Sequence, residues 1–393
     1  MLKFSICITC ILLLATGALW ADDISHPFSS FMQGEMINTV DSSNGMSFRE
    51  MPEPESFELF EAKLDHKKLD VYFREFMTKF GKSYKSADEL NSRKAIFRDS
   101  LMNVYRHNLK ALDGRSTYTQ HINGFADMEL VELVGRGGGG GDQPPANHSH
   151  TPPDDTVEPI TNTSATVVRQ KRDQGWIYDW RSVNVVGPVQ NQLSCGACVY
   201  FAAAALIETY WARTGHGVTP LSTQQLNDCA RDDPNGNHGC EEGGGTFVPT
   251  FNYIQRKGLT SWQNYPYIAK DANCDHGKES QRVASISSWT PVRPAGNEEV
   301  LRLAIQDHGP AAVALHVNDA FQRYRQGIFD DPCPGGRNHA VLAVGYGHDG
   351  GSNKDYWILK NQWGTGWGEQ GFMNFRRNNN DQCLISTDAV IIQ

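Results

Sequence analysis

The chain has 393 residues, 39% of them hydrophobic and 21% charged, with a net charge of −9. This composition excludes a chain disordered throughout and a nucleic-acid footprint of clustered Lys and Arg. The modest acidic excess reads as solubility and does not point to a basic substrate.

Met1-Leu2-Lys3 leads into an apolar run from Phe4 to about Trp20, with small residues near Ala18 to Ala21. One positive charge, a short apolar core and small residues at its end predict a secretory signal peptide over 1–21. The run is short for a membrane span, and Asp22 and Asp23 follow it directly. No later run approaches spanning length. The expected destination is the secretory pathway, ending in a lysosome or outside the cell.

Residues 22–67 have weak periodicity and form an extension to which no fold is assigned. From about Leu69 to Leu112 the pattern turns helical and charged. Glu89 and Arg93 are one turn apart, and Phe97, Leu101, Val104 and Asn108 extend the stripe at steps of three or four. Residues 135–172 change character: Gly137 to Gly141 is a run of glycines, followed by Pro144-Pro145 and Pro152-Pro153. An exposed linker is expected, and Asn147 and Asn162 open two glycosylation sequons within it. It ends at Arg169-Gln170-Lys171-Arg172, a basic cluster of the kind processing proteases cut. A cut after Arg172 leaves about 220 residues, ample for one domain with its own core. That domain opens with an Ala-rich buried helix over Val199 to Trp211. Strands are predicted at Ala311–Val317, Ala340–Gly345, Tyr356–Lys360, Gly371–Arg376 and Ala389–Ile392. A helix-rich half followed by a strand-rich half predicts an α+β domain of two lobes.

Seven of the nine cysteines lie beyond the signal, at Cys195, Cys198, Cys229, Cys240, Cys274, Cys333 and Cys383. In an oxidising compartment most should pair, and an odd number leaves one thiol over. Cys198 opens the Ala-rich helix, where unpaired backbone N–H groups and the dipole favour a thiolate nucleophile. His339, at the start of a predicted strand, is a candidate proton acceptor. Asn361 can hold its imidazole by accepting the ring N–H. Gln192 and the Cys198 backbone N–H can donate to a developing oxyanion.

Gln192-Leu193-Ser194-Cys195-Gly196-Ala197-Cys198, with His339 and Asn361 well downstream, resembles the papain family of cysteine proteases, and within it the cathepsin L type. Further matches are Asp179-Trp180-Arg181, Gly187-Pro188-Val189, Leu221-Ser222-Thr223-Gln224-Gln225, Tyr265-Pro266-Tyr267 and Trp363-Gly364-Thr365-Gly366-Trp367-Gly368. Upstream, Glu89, Arg93, Phe97, Ser100, Val104 and Asn108 fall on the family's propeptide helix signature. Asn123-Gly124-Phe125-Ala126-Asp127 matches its second motif, with His121 in place of the leading Gly.

The resemblance implies a two-lobed papain-like fold, a helical lobe plus a β-barrel-like lobe, preceded by a mainly helical prodomain. The layout is then a signal at 1–21, an extension at 22–67, an inhibitory prodomain at 68–134, a linker with its processing site at 135–172, and the protease domain at 173–393. It implies Cys198 as nucleophile, His339 as base, Asn361 as orienter and Gln192 as oxyanion donor. It further implies disulfides Cys195–Cys240, Cys229–Cys274 and Cys333–Cys383, leaving Cys198 free. Substrate contacts would come from Gly243, Gly244, Gly245, Phe247, Ala314, Asn338, Trp363 and Asp388. An acid at Asp388 would attract a basic residue at P2, the second substrate residue before the scissile bond. The prodomain would act as an intramolecular inhibitor and peptides or proteins as substrates, with cystatin-type inhibitors as further partners. No metal or organic cofactor is implied.

Three departures mark the protease part: Val199 where the family has Trp, Leu193 where Gly is usual, and Gln362 where Ser is usual. Val199 and Leu193 support an alternative, a catalytically impaired binding protein on the same fold. A remoter alternative is a thiol–disulfide oxidoreductase, because Cys195 and Cys198 form a C-x-x-C at a helix start. Zinc binding by that pair lacks further ligands. Gly366, Gly368 and Gly371 fit G-x-G-x-x-G but precede a strand, so they are turn glycines and no nucleotide loop.

Overall fold

The computed structural model describes residues 56–135, 170–172, 175–232, 237–240 and 243–393. The predicted signal peptide, most of the extension, the glycine-rich linker and both sequons lie outside these residues.

The upstream unit begins with α1 (Phe57–Lys63), α2 (His66–Phe80) and α3 (Ala87–Leu112). The single helical stretch expected from Leu69 to Leu112 is two helices, broken at Gly81, whose φ of 61° suits a residue without a Cβ. Ser86 then caps α3 by accepting from the Glu89 N–H, while Glu89 accepts from the Lys85 N–H. Helix α1 falls in the extension that sequence periodicity left without a fold; its Phe60 ring stacks on Tyr105 at 3.9 Å. Phe60, Phe73, Phe76, Phe97, Leu101 and Val104 form a core of their own. The chain continues through β1 (Tyr118–Gln120) and α4 (Leu130–Val134). Arg93 pairs with Glu132 through two bonds of 2.7 Å, so its partner is across the chain and not Glu89, the residue one turn away.

At the end of the linker, β2 (Gln170–Arg172) pairs with β3 (Gly175–Asp179). The helical lobe carries α5 (Cys198–Trp211), α6 (Thr223–Cys229) and α7 (Phe247–Lys257). Then come β4 (Thr290–Pro291), α8 (Glu298–His308), β5 (Ala311–Leu315), β6 (Tyr324–Phe329), β7 (His339–Asp349), β8 (Lys354–Lys360), β9 (Phe372–Arg376) and β10 (Asp388–Ile391). The sheet order is β1-β6-β9-β8-β7-β5-β10-β4, with β3 also on β7; among the described residues only β6 and β9 pair in parallel. Strand β1 therefore adds the upstream unit to the edge of the downstream sheet.

The two lobes meet across β5 and β7. Side chains alternate faces along a strand. Ala312, Ala314, Ala340, Leu342 and Val344 join the core beneath α5, while Ala311, Val313, Leu315, Val341 and Ala343 join the core on the other face. The small residues toward α5 let that helix lie close to β7. This packing brings the first residue of α5 and the first residue of β7 to the seam between the lobes. Three disulfides, Cys195–Cys240, Cys229–Cys274 and Cys333–Cys383, close loops of 45 to 50 residues. Each such loop is worth about 4 kcal/mol by chain entropy. Cys198 is the free cysteine among the described residues. The C-x-x-C pair is not a redox couple, because Cys195 is bonded to Cys240, which removes the oxidoreductase reading.

Candidate active site

Cys198 is the first residue of α5 and is fully buried. Burial pushes its thiol up to about 11, opposed by the backbone N–H groups of Ala340, Val199 and Cys198 itself. His339 opens β7 and is likewise buried; desolvation holds its imidazole down at about 4. Its Nε2 lies 2.9 Å from Asn361 Oδ1, just beyond the end of β8. Its Nδ1 is buried without a hydrogen-bond partner. Trp363 covers the pair, with its ring 4.9 Å from the imidazole, and Phe321 stands edge-on at 6.1 Å. In this covered state thiol and imidazole are both held neutral, and desolvation is the cause for each.

Gln192 is fully buried, and its amide is fixed from both ends. Nε2 donates to the Leu133 carbonyl at 2.7 Å and the Cys195 carbonyl at 3.0 Å. Oε1 accepts from Gln362 Nε2 at 2.9 Å. Tyr267 Oη donates to the Gln192 carbonyl at 2.8 Å. Leu133 belongs to α4 of the upstream unit, so a peptide carbonyl from that unit already occupies the Gln192 donor.

The next residues continue through the seam. A Cβ on Gly135 would stand 3.3 Å from Gly196 Cα and 3.3 Å from Gly243 Cα, so three glycine backbones meet there. Gly243 is thus the glycine of the 243–245 run that faces the inserted chain. Gly244 packs on the Gly196 carbonyl and Gly245 on the Asn237 side chain. Farther along, Asn123 Nδ2 donates to the Gln322 carbonyl at 2.8 Å, and Gln322 Nε2 returns bonds to the Phe125 and Met128 carbonyls.

Ala314 and Asp388 are directly opposite in the β5–β10 ladder. Phe247 opens α7 and is buried. Asn338 clamps the end of β5 by bonding both the N–H and the carbonyl of Val317. Asp388 does not stand alone: Arg337 Nε lies 3.9 Å from its carboxylate, and partial burial raises that carboxyl above its ordinary range. Arg172 closes the short strand β2.

Among the departures, Leu193 takes the left-handed conformation at φ 54°, which explains a preference for Gly there, and costs about 1–2 kcal/mol. Its side chain is half exposed, and the bonds of the neighbouring Gln192 amide are intact. Val199 is buried in the α5 core. Sequence assigns no site contact to Tyr267, Arg337 or the Leu133–Gly135 segment, although Leu133 and Val134 fall within the expected prodomain. Tyr267 had a signal in its Tyr-Pro-Tyr motif, whereas Arg337 and Leu133 had none. Among the described residues no helix is long and apolar enough to cross a membrane.

Comparison with known proteins shows the same division. The profile described as "Papain family cysteine protease" matches residues 176–393, and that described as "Cathepsin propeptide inhibitor domain" matches residues 73–133. The chain is 33% identical to cathepsin S of Mus musculus, over 81% of this chain and 89% of that protein. It is 35% identical to a cathepsin L-like proteinase of Phaedon cochleariae, over 80% and 91%. Among solved structures it is similar to digestive procathepsin L 3 of the Tenebrio molitor larval midgut, with a TM-score of 0.68 and 34% identity, covering 82% of this chain and 98% of that one.

Proposed function

Because the chain belongs to the papain family of cysteine proteases, as a zymogen with its own propeptide inhibitor domain, we propose that Cys198, His339, Asn361 and Gln192 perform its peptide hydrolysis. The observation that carries this reading is the Leu133 carbonyl on Gln192 Nε2, which also donates to the Cys195 carbonyl three residues before the one free thiol among the described residues. A peptide carbonyl bound there is where a substrate carbonyl would need to be.

Release of the prodomain returns water to the site. Desolvation of thiol and imidazole falls, and the N-terminus of α5 then favours the thiolate. His339 Nε2–H stays on Asn361 Oδ1, leaving the Nδ1 lone pair to take the thiol proton. Cys198 Sγ bonds to the substrate carbonyl carbon, and the carbonyl oxygen becomes an oxyanion held by Gln192 Nε2 and the Cys198 N–H. As the intermediate collapses, the C–N bond breaks and Nδ1 gives its proton to the leaving amine. Water then attacks the thioester, Nδ1 takes one of its protons, and the acid product and free thiol are regenerated.

The proposed route of the protein is secretion or delivery to a lysosome, supported by the apolar leader and the three disulfides. Its proposed domain boundaries are those of the sequence reading, with α1 now joined to the prodomain core. Peptide or protein substrates and cystatin-type inhibitors would share the cleft that Leu133 to Gly135 occupy. Maturation would follow a cut near Arg172.

The test is hydrolysis of a peptide library by the processed protein. Arg337 beside Asp388 partly neutralises that acid, so a basic P2 residue should be favoured only weakly. Arg337→Ala is expected to raise the preference for Arg over Leu at P2 by about fivefold, the equivalent of about 1 kcal/mol for this partly buried pair. An unchanged P2 profile would place Asp388 outside the substrate pocket.

A further inference from the structure

The residue where this chain replaces the family's usual Ser stands in the middle of the site. Gln362 Nε2 donates to Gln192 Oε1 and to the Ala340 carbonyl, each at 2.9 Å. The Gln362 backbone N–H donates to Asn361 Oδ1, and its carbonyl accepts from the Gln192 N–H at 2.8 Å. Gln362 is itself buried.

The orientation of both amides follows from their carbonyl partners. A backbone carbonyl can only accept. The Ala340 carbonyl therefore requires the NH2 of Gln362 on its side, and that NH2 has two hydrogens. The second reaches Gln192, so the atom it meets must be Gln192's oxygen. Gln192 consequently turns its own NH2 toward the Leu133 and Cys195 carbonyls. With both Nε2 hydrogens of Gln362 engaged, none remains for His339 Nε2, 3.4 Å away. That nitrogen keeps its own hydrogen on Asn361 Oδ1, and Nδ1 is left bare.

When Leu133 withdraws, one N–H of Gln192 is vacated and the Cys195 carbonyl holds only the other. The Gln362 bond lies wholly within the downstream domain and stays. We infer that Gln362 is a positioning residue, which locks the Gln192 amide with its N–H toward the oxyanion once the prodomain has gone. This rests on the reading of Gln192 as oxyanion donor. Without Gln362, the buried Gln192 oxygen loses its donor and the amide is free to turn its oxygen toward the substrate, where it would repel the developing charge.

The experiment uses protein processed from the full chain and compares the parent with Gln362→Met, Gln192→Ala and the double variant. Gln362→Ala serves if the methionine variant does not process. Removal of one oxyanion donor lowers kcat by roughly 10²–10³-fold. Loss of its positioning partner should lower kcat by about 10–100-fold, with KM within about twofold. Affinity for a peptide aldehyde, whose thiol adduct carries an oxyanion-like oxygen, should fall by a similar factor. Alkylation of Cys198 by iodoacetamide forms no oxyanion and should keep the parent's rate. In the Gln192→Ala background, Gln362→Met should have no further effect.

An equal fall in alkylation, or a full further loss in the Gln192→Ala background, would make Gln362 a packing residue and overturn the inference. An unchanged kcat and aldehyde affinity in Gln362→Met would overturn it too. If Gln192→Ala itself leaves kcat intact, the oxyanion reading fails first, and that outcome is told apart by the single variant.

Discussion

Processed protein carrying His339→Ala is expected to hydrolyse peptides about 10³-fold or more slowly than the parent. His339 Nε2 is committed to Asn361, and Nδ1 is the one ring nitrogen left for the thiol proton. Positioned general acid–base catalysis is worth roughly 10²–10⁴-fold, and this imidazole is used twice in each turnover. The loss should fall on kcat, because no substrate contact is removed. Steady-state kinetics on a fluorogenic peptide would check this. Activity within about tenfold of the parent would mean that some other group takes the proton, and the Cys–His assignment would be lost.

The second large effect concerns release of the prodomain. His121 stands where the propeptide motif has Gly, buried against the downstream domain. Its N–H donates to the Arg323 carbonyl at 2.9 Å, and its Nε2 lies 3.2 Å from the Gly366 carbonyl. Nδ1 is buried without a partner. Burial first, then the positive charges of Arg325 and Lys79, holds this imidazole down at about 4. In a released, solvated prodomain the same group would titrate near 6.5.

The sign follows from linkage. The bound state takes up the proton less readily than the free one, so proton uptake drives release. Binding is intact above about pH 6.5, weakens as pH falls, and stops changing below about 4. Over that window each pH unit corresponds to roughly 1.4 kcal/mol, or tenfold in prodomain affinity. His121→Gln keeps a donor for Gly366 and cannot charge. Its prodomain release, followed by processing or by inhibitor titration, is expected at a pH about one unit lower than the parent's. His107, partly buried and also depressed, titrates in the same sense and remains in the variant, so some acid response persists. An unchanged midpoint would exclude His121 as the sensor.

Much of the candidate site could be proposed from sequence because the chemistry leaves local marks. A cysteine opening an Ala-rich helix and a histidine opening a strand are both visible as composition shifts. The elements that escaped did so for physical reasons. Every residue of Thr223–Cys229 is buried although five of the seven are polar, so α6 has no apolar stripe to detect. Strand β6 contains Arg325, Gln326 and Gly327 in mid-run, which breaks a strand pattern; it forms because its edge is covered by β1 from the prodomain. Gly81 reads as one residue within a continuous helical pattern, yet at φ 61° it ends α2, and six residues separate Phe80 from Ala87.

Pair contacts were the least legible part. Arg93 has Glu89 one turn away yet pairs with Glu132, 39 residues on. Asp388 looked like a lone acid, but Arg337, brought beside it by the fold, alters what that acid can attract. Gln362 registered only as a departure from the family pattern. Its bonds to Gln192 and Ala340 depend on residues 170 and 22 positions away, respectively, and have no sequence signature.

The most direct measurement is mass spectrometry of the intact proenzyme and the acid-processed protein, each treated with an epoxide electrophile selective for papain-type thiols, with His339→Ala run alongside. The expected result is a single adduct on Cys198, formed after processing, absent from the covered proenzyme and lost in His339→Ala. A folded, processed protein whose free Cys198 takes up no label would contradict the account, and would favour a papain-fold binding protein over a working peptidase.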